Sequence, residues 1–192
     1  MPTVQEEKKI LRKQIKTLKN AYSSSELQNK SQKIITHVHD FLNLQKPNLI
    51  MAYWALPDEV QTQHLITKNT AKYTILLPVI NNNELIVKPF TGIENMQKVP
   101  PFGILEPLGE TFKNLAEIEI ILVPGMAFDR KGYRMGRGKG YYDKFLPKTS
   151  AIRVGLCFNF QLLDKIPIDE YDAQMDYIIT ENELLTINKK AL

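Results

Sequence analysis

The chain has 192 residues, 43% of them hydrophobic and 24% charged, which suits one compact α/β-sized domain over residues 1–192 and excludes a disordered or fibrous chain. Twenty-five basic against 21 acidic residues give a net charge of +4, mild enough for anionic small molecules or weak nucleic-acid contact. No apolar run approaches the roughly 18 to 20 residues of a membrane span and the first residues lack the apolar centre of a secretory signal, so a cytoplasmic protein with no membrane contact is expected, with a monomer as the default.

In chain order, Thr3 and Glu6 have the spacing of a capping box, and Ile10, Leu11, Ile15 and Leu18 recur with helical period, predicting a helix over about 4–20. The same signal at Ser23 and Glu26 opens a second helix. Its stripe of Leu27, Ile34, Ile35, Val38, Phe41 and Leu42 ends before Pro47. Beyond Pro47 the pattern becomes short apolar runs: LIMAY (49–53), TILLPVI (74–80), ELIVKPF (84–90), IEIILVP (118–124), IRVGLCF (152–158) and YIIT (177–180). Helical patterns at about 60–71 and 138–146 separate several of them. Continuous apolar strands require cover on both faces, so the expected fold is a three-layer αβα arrangement around a largely parallel, mixed central sheet. Asn81, Asn82 and Asn83 join the second and third runs as a hairpin. The stretch 91–117, with three prolines and three glycines, reads as a substrate-facing loop in which a short helix can hide.

Chemistry concentrates in PGMAFDRKGYRMGRGKGYYDKFL, residues 124–146, directly after the most apolar run. Glycines at 132, 136, 138 and 140 alternate with Arg130, Lys131, Arg134, Arg137 and Lys139. Glycine lets backbone N–H groups approach an anion and the basic side chains neutralise it, so the segment suits a phosphate. A solvated surface turn is the plain alternative. A P-loop would need Ser or Thr after Gly-Lys, where Tyr141 stands, and a dinucleotide fingerprint would begin at the strand end. Asp143 is an oxygen ligand placed for Mg²⁺, although a solvated aspartate in a first helical turn explains it equally. Asp172 and Asp176, four apart, fit a solvated acidic turn as well as a metal pair. Lys8, Arg12, Lys16 and Lys19 form a basic stripe whose plain reading is a wet helix face. Cys157 reads as a buried structural thiol, and His37, His39 and His64 do not share a face for metal binding. Trp54 and Glu59 follow the first strand at its carboxyl end, where open α/β sheets place ligands, although core packing accounts for Trp54 too.

The segment 124–146 resembles the signature of the 5-formyltetrahydrofolate cyclo-ligase, or 5,10-methenyltetrahydrofolate synthetase, family. The likeness extends to KKILR (8–12), LPDEVQT (56–62), FGILEP (102–107) and YDAQMDYIIT (171–180), and so spans most of the chain. The resemblance implies conversion of 5-formyltetrahydrofolate and ATP into 5,10-methenyltetrahydrofolate, ADP and phosphate, with Mg²⁺ required. It implies ATP contacts at Lys8, Arg12, Arg134, Met135, Gly136, Arg137, Gly138, Lys139, Gly140, Tyr141 and Tyr142. Folate contacts would fall at Trp54, Glu59, Arg137, Gly138, Lys139, Gly140 and Tyr141, the metal would lie at Asp143 and Asp172, and Arg137 and Lys139 would act on the transferring phosphoryl group. Tyr171 and Trp54 depart from the family pattern, which more often carries His and smaller apolar residues there. Two other classes remain as alternatives: a nucleic-acid binder using the basic helix and RGKGYY, and an α/β protein binding sugar phosphates or coenzyme A without ATP.

Overall fold

The computed structural model describes residues 2–99 and 103–190. Helix α1 (Val4–Asn20) is capped by Thr3 and helix α2 (Ser24–Gln45) by Ser23, each through the expected capping box, and Lys46 ends α2 in the left-handed conformation. The chain continues through β1 (Leu49–Met51), α3 (Gln63–Lys68), and the hairpin β2 (Thr74–Asn81) and β3 (Glu84–Pro89). Asn82 and Asn83 both take positive φ, 47° and 63°, as a tight hairpin turn demands. A second hairpin follows, β4 (Met96–Val99) and β5 (Ile104–Pro107), then β6 (Ile120–Pro124), β7 (Ala127–Asp129), β8 (Arg134–Met135), α4 (Tyr141–Phe145), β9 (Ile152–Leu156), β10 (Leu162–Leu163), β11 (Tyr177–Ile179) and β12 (Leu184–Thr186).

Seven strands form the main sheet in the order β12-β11-β9-β6-β1-β2-β3. The five inner strands are parallel, and only the edges β3 and β12 run antiparallel. The mixed, mostly parallel sheet expected from the apolar runs is therefore present. One face packs on α2 and α3 through Ile34, Val38, Phe41, Leu65 and Ile66 against Ile50, Leu77, Leu122 and Val154. The opposite face is covered by α4 and the turn after it, with Phe145 and Leu146 over Met51, Ile121, Val123 and Ile178. This second layer is thin, because α4 has only five residues.

Three features depart from the expectations. Residues 91–117 hold the β4–β5 hairpin and two 3₁₀ turns rather than an open loop; alternation in MQKV and ILEP is too short to register as strand. Phe102 of the FGILEP run lies outside the described residues. A small sheet, β10-β7-β8, projects from the carboxyl side of β6 and β9. Helix α1 packs on that small sheet, with Leu11 and Ile15 against Met126, Ala127, Met135 and Ile166. The apolar stripe read for α1 is correspondingly rotated: Ile10 and Leu18 are exposed, whereas Lys8, Ile15 and Lys19 are buried.

Among the described residues no helix is long and apolar enough to cross a membrane.

Candidate functional site

Parallel strands β1 and β6 are neighbours in the sheet, but the chain leaves β1 toward β2 on one side and reaches β9 from β6 on the other. Their carboxyl ends therefore border the point where strand order reverses, the usual crevice for ligands in an open sheet. The loop after β1 carries Trp54, Asp58 and Glu59. The chain after β6 turns through the small sheet into the glycine segment 136–140. The sequence thus delivers two chemically different loops to one place.

The glycine segment begins on a fixed base. Asp129 is buried and its Oδ1 accepts the N–H groups of Lys131 and Tyr133, each at 3.0 Å, an Asx turn that shapes the basic loop. Arg134 is also buried. Its guanidinium donates to the carbonyl of Pro124 at 3.1 Å and to Asp143 Oδ1 at 3.0 Å, and stacks 5.2 Å from the Tyr142 ring. A Cβ on Gly136 would sit 2.8 Å from this guanidinium, so only glycine fits there without a shift. Gly138 and Gly140 take φ of 101° and 68°, the left-handed region that L side chains disfavour. Beside Gly138 lies Arg12, whose Nε donates to the Gly136 carbonyl at 2.9 Å. Met135 packs in the core, which leaves only its backbone for a ligand. Arg137 and Lys139 are exposed, and Lys139 has no ion pair among the described residues.

Arg137 turns back across the crevice. Its Nε and Nη2 donate to Glu59 Oε1 at 3.1 and 3.0 Å, and Nη2 donates to Asp58 Oδ1 at 2.5 Å. Glu59 Oε2 accepts the Leu56 N–H at 3.0 Å. The carboxylate also reaches two buried phenols. Burial pushes the Tyr53 and Tyr142 hydroxyls to much higher pKa, and the Glu59 charge adds to both shifts. Tyr53 donates to the Val60 carbonyl, whereas the Tyr142 hydroxyl has no hydrogen-bond partner among the described residues. Trp54 is half-buried, its ring 6.1 Å from that of Phe90.

The other predicted positions gather on the inner face of α1. Buried Lys8 pairs with Asp169 at 2.7 Å and with Asp172, whose Oδ2 also accepts the Asp169 N–H at 2.8 Å. Lys8, Arg12, Ile15 and Lys19 lie on one helical stripe, so α1 places successive cations on the 169–172 loop, the glycine loop and the loop after β1. Asp176 points elsewhere, accepting the Arg153 N–H at 3.0 Å and pairing with Lys190. His37 meets the Thr180 carbonyl, and Cys157 is fully buried with its thiol pKa pushed up by burial.

The profile of the 5-formyltetrahydrofolate cyclo-ligase family matches residues 4–181. The chain belongs to that family. A probable cyclo-ligase of Caenorhabditis elegans is 27% identical over 96% of this chain and 98% of its own, and the cyclo-ligase of Mus musculus is 28% identical over 94% and 96%. The NMR structure of Aquifex aeolicus 5,10-methenyltetrahydrofolate synthetase is 30% identical and superposes with a TM-score of 0.85 over 96% of this chain and 95% of its own. The Mycoplasma pneumoniae synthetase is 26% identical, with a TM-score of 0.74 over 91% and 98%.

Within the cyclo-ligase framework, sequence reasoning missed Asp58, Asp129 and Asp169, and it read Lys19 as part of a wet helix face although Lys19 is buried. Asp129 carried a legible signal, an aspartate directly before the basic turn Arg130-Lys131-Gly132. The Asp58 carboxylate lowers its own pKa through its partners: burial raises it, but Lys19 and Arg137 outweigh burial. A carboxyl depressed on folding adds stability above its unfolded value of 3.8 that is lost as pH falls through the folded value. Stepped-pH denaturation is therefore expected to show a drop in stability below about 3.8 that is shallower in Asp58→Asn than in the wild type. Parallel curves would remove Asp58 as a contributor.

Proposed function

We propose that the chain converts 5-formyltetrahydrofolate and ATP into 5,10-methenyltetrahydrofolate, ADP and phosphate, with Mg²⁺. One observation supports this reading: Arg137 of the glycine segment reaches the Glu59 carboxylate, so a basic loop suited to a phosphate and an acid suited to a pterin edge face the same crevice. The pterin amide and amino edge pairs naturally with a carboxylate in bidentate fashion. Trp54 and Tyr141 would flank the folate, and Lys8, Arg12 and residues 134–142 would border the nucleotide.

In the proposed reaction the formyl oxygen attacks the γ-phosphorus, forming an O–P bond as the bond to the β-phosphate oxygen breaks and ADP leaves. N10 then attacks the resulting iminium carbon, and this N10–C bond closes the ring as N10 loses its proton; the C–O bond to phosphate then breaks, phosphate leaves, and the bridge carbon is left as the methenyl C=N. Such a transfer needs alignment and positive charge rather than a protein nucleophile. Arg137 and Lys139 would supply it directly. Arg134 is buried and holds Asp143, so its part is to fix the loop.

For Mg²⁺ the donor chemistry fits. Mg²⁺ commonly takes one or two carboxylates with substrate phosphates and water, and does not need a three-carboxylate cage, of which the described residues hold none. Asp143 and Asp172 each have one oxygen engaged, by Arg134 and by Lys8, and the other without a partner among the described residues. The ion would shield the charge of the triphosphate. On this reading the enzyme works in the cytoplasm as a single-domain monomer on two small molecules.

The nucleic-acid alternative is weakened because Lys8 and Lys19 are buried on the inner face of α1 and form no basic outer surface. The test is spectrophotometric. Purified protein with 5-formyltetrahydrofolate should develop the methenyl chromophore only when both ATP and Mg²⁺ are present. Absence of the chromophore, or its appearance without ATP, would sink the proposal.

A further inference from the structure

We infer that Asp58, steadied by buried Lys19, is a positioning residue that aims Arg137 at the transferring phosphoryl group. The inference rests on the reading that Arg137 touches that group, and it adds two residues the sequence signature does not assign. Lys19 on α1 is 3% exposed, and its Nζ donates to both the Asp58 carbonyl at 2.5 Å and Asp58 Oδ2 at 3.2 Å. The other oxygen, Oδ1, accepts from Arg137 Nη2. Asp58 is thus clamped at backbone and side chain by one cation while it holds the next.

The stability that Asp58 gains from its partners is set against the cost of burying Lys19. An ammonium group loses solvation on burial, and burial lowers the Lys19 pKa against the opposing pull of Asp58. A buried ion pair seldom outperforms packed apolar side chains of similar volume. The chain of contacts instead makes sense through its end point, a partly exposed guanidinium whose Nε and Nη2 edge is held. Its Nη1 makes no hydrogen bond among the described residues and is left for a ligand.

Asp58 also differs from Glu59 in what happens when folate arrives. A pterin that pairs with Glu59 competes for the carboxylate holding Arg137. Asp58 then remains as the anchor, fixed from behind by Lys19. A displacement of about 1 Å in such a group can cost on the order of a hundredfold in rate, so an anchor that survives substrate binding matters for turnover.

The experiment is a double-mutant cycle on the full-length protein, read as kcat and the two KM values. Asp58→Asn is expected to lower kcat roughly tenfold or more with both KM values within about threefold, because alignment is lost while binding contacts remain. Lys19→Met, which keeps the buried volume, should lower kcat in the same direction. In an Arg137→Ala background Asp58→Asn should change kcat by less than about twofold, since its target is gone. Equal losses in both backgrounds would show that Asp58 acts through the fold, and unchanged kcat in both Asp58→Asn and Lys19→Met would overturn the inference alone. If Arg137→Ala itself turns over normally, the assignment of Arg137 fails first and this inference falls with it.

Discussion

Alanine at Arg137 is expected to reduce turnover by about a thousandfold while the protein stays folded. An arginine that stabilises charge on a transferring phosphoryl group is worth roughly 10³ to 10⁵ in rate, and the lower end applies because Lys139 remains beside it. The fold should tolerate the change, since the Arg137 side chain is 43% exposed and exposed pairs contribute little to stability. Asp58 keeps Lys19 as a partner and Glu59 keeps the Leu56 N–H, so neither carboxylate is left wholly unpaired. Steady-state kinetics with a melting curve decide the matter. A kcat within tenfold of wild type would remove Arg137 from the reaction, whereas a large loss with an unchanged melting temperature would be the signature of chemistry rather than folding.

Arg134 provides the contrast. Its side chain is 4% exposed and holds Asp143 and the Pro124 carbonyl, so truncating it would disturb position and stability together. Both arginines lie in one short sequence segment of similar composition. Spacing alone could not separate the one that faces the crevice from the one that supports the loop, because that distinction depends on the small sheet. Phe128 and Arg134 are register partners in β7 and β8, and this pairing turns the Arg134 side chain inward.

The same reason explains which parts of the fold were legible. Capping boxes are local, so Thr3 and Ser23 marked both helix starts correctly. Apolar runs long enough to be buried on both faces identified six strands of the main sheet. The strands β7, β8 and β10 have two or three residues each, too few for any period, and they exist because tertiary contacts hold them. On α1 the periodic reading was half right: Leu11 and Ile15 do pack inward, whereas Ile10 and Leu18 are exposed. Ile10 and Leu18 have the right spacing for a core face, but the helix covers a polar site, and its inner face needs cations that reach carbonyls and carboxylates. The glycine segment was visible from composition. Of its acidic counterpart Glu59 and Asp172 were named, whereas Asp58 and Asp169 were not, because these two acquire meaning only when 79 and 161 residues of separation are closed.

Alanine at Phe128 is expected to destabilise the protein by about 3 to 5 kcal/mol, the usual cost of truncating a fully buried phenylalanine. The ring is 0% exposed and fills the gap between the small sheet and the main one. Its two edges meet backbone rather than side chains: a Cβ on Gly125 or on Gly155 would come within 2.5 Å of the ring. The glycines make room for the ring, so neither has a side chain that could relax into the cavity, which favours the upper part of that range. For a chain of this length the loss corresponds to a fall in melting temperature of roughly 6 to 20 °C. Activity should fall as well under conditions where the variant is folded, because Phe128 sets the strand that carries Arg134 and, through it, Asp143. Phe128→Leu, which leaves a smaller cavity, should lose less on both counts. A Phe128→Ala protein that melts within about 2 °C of wild type would mean that the ring does not hold the two sheets apart, and that the glycine segment takes its position from α1 alone.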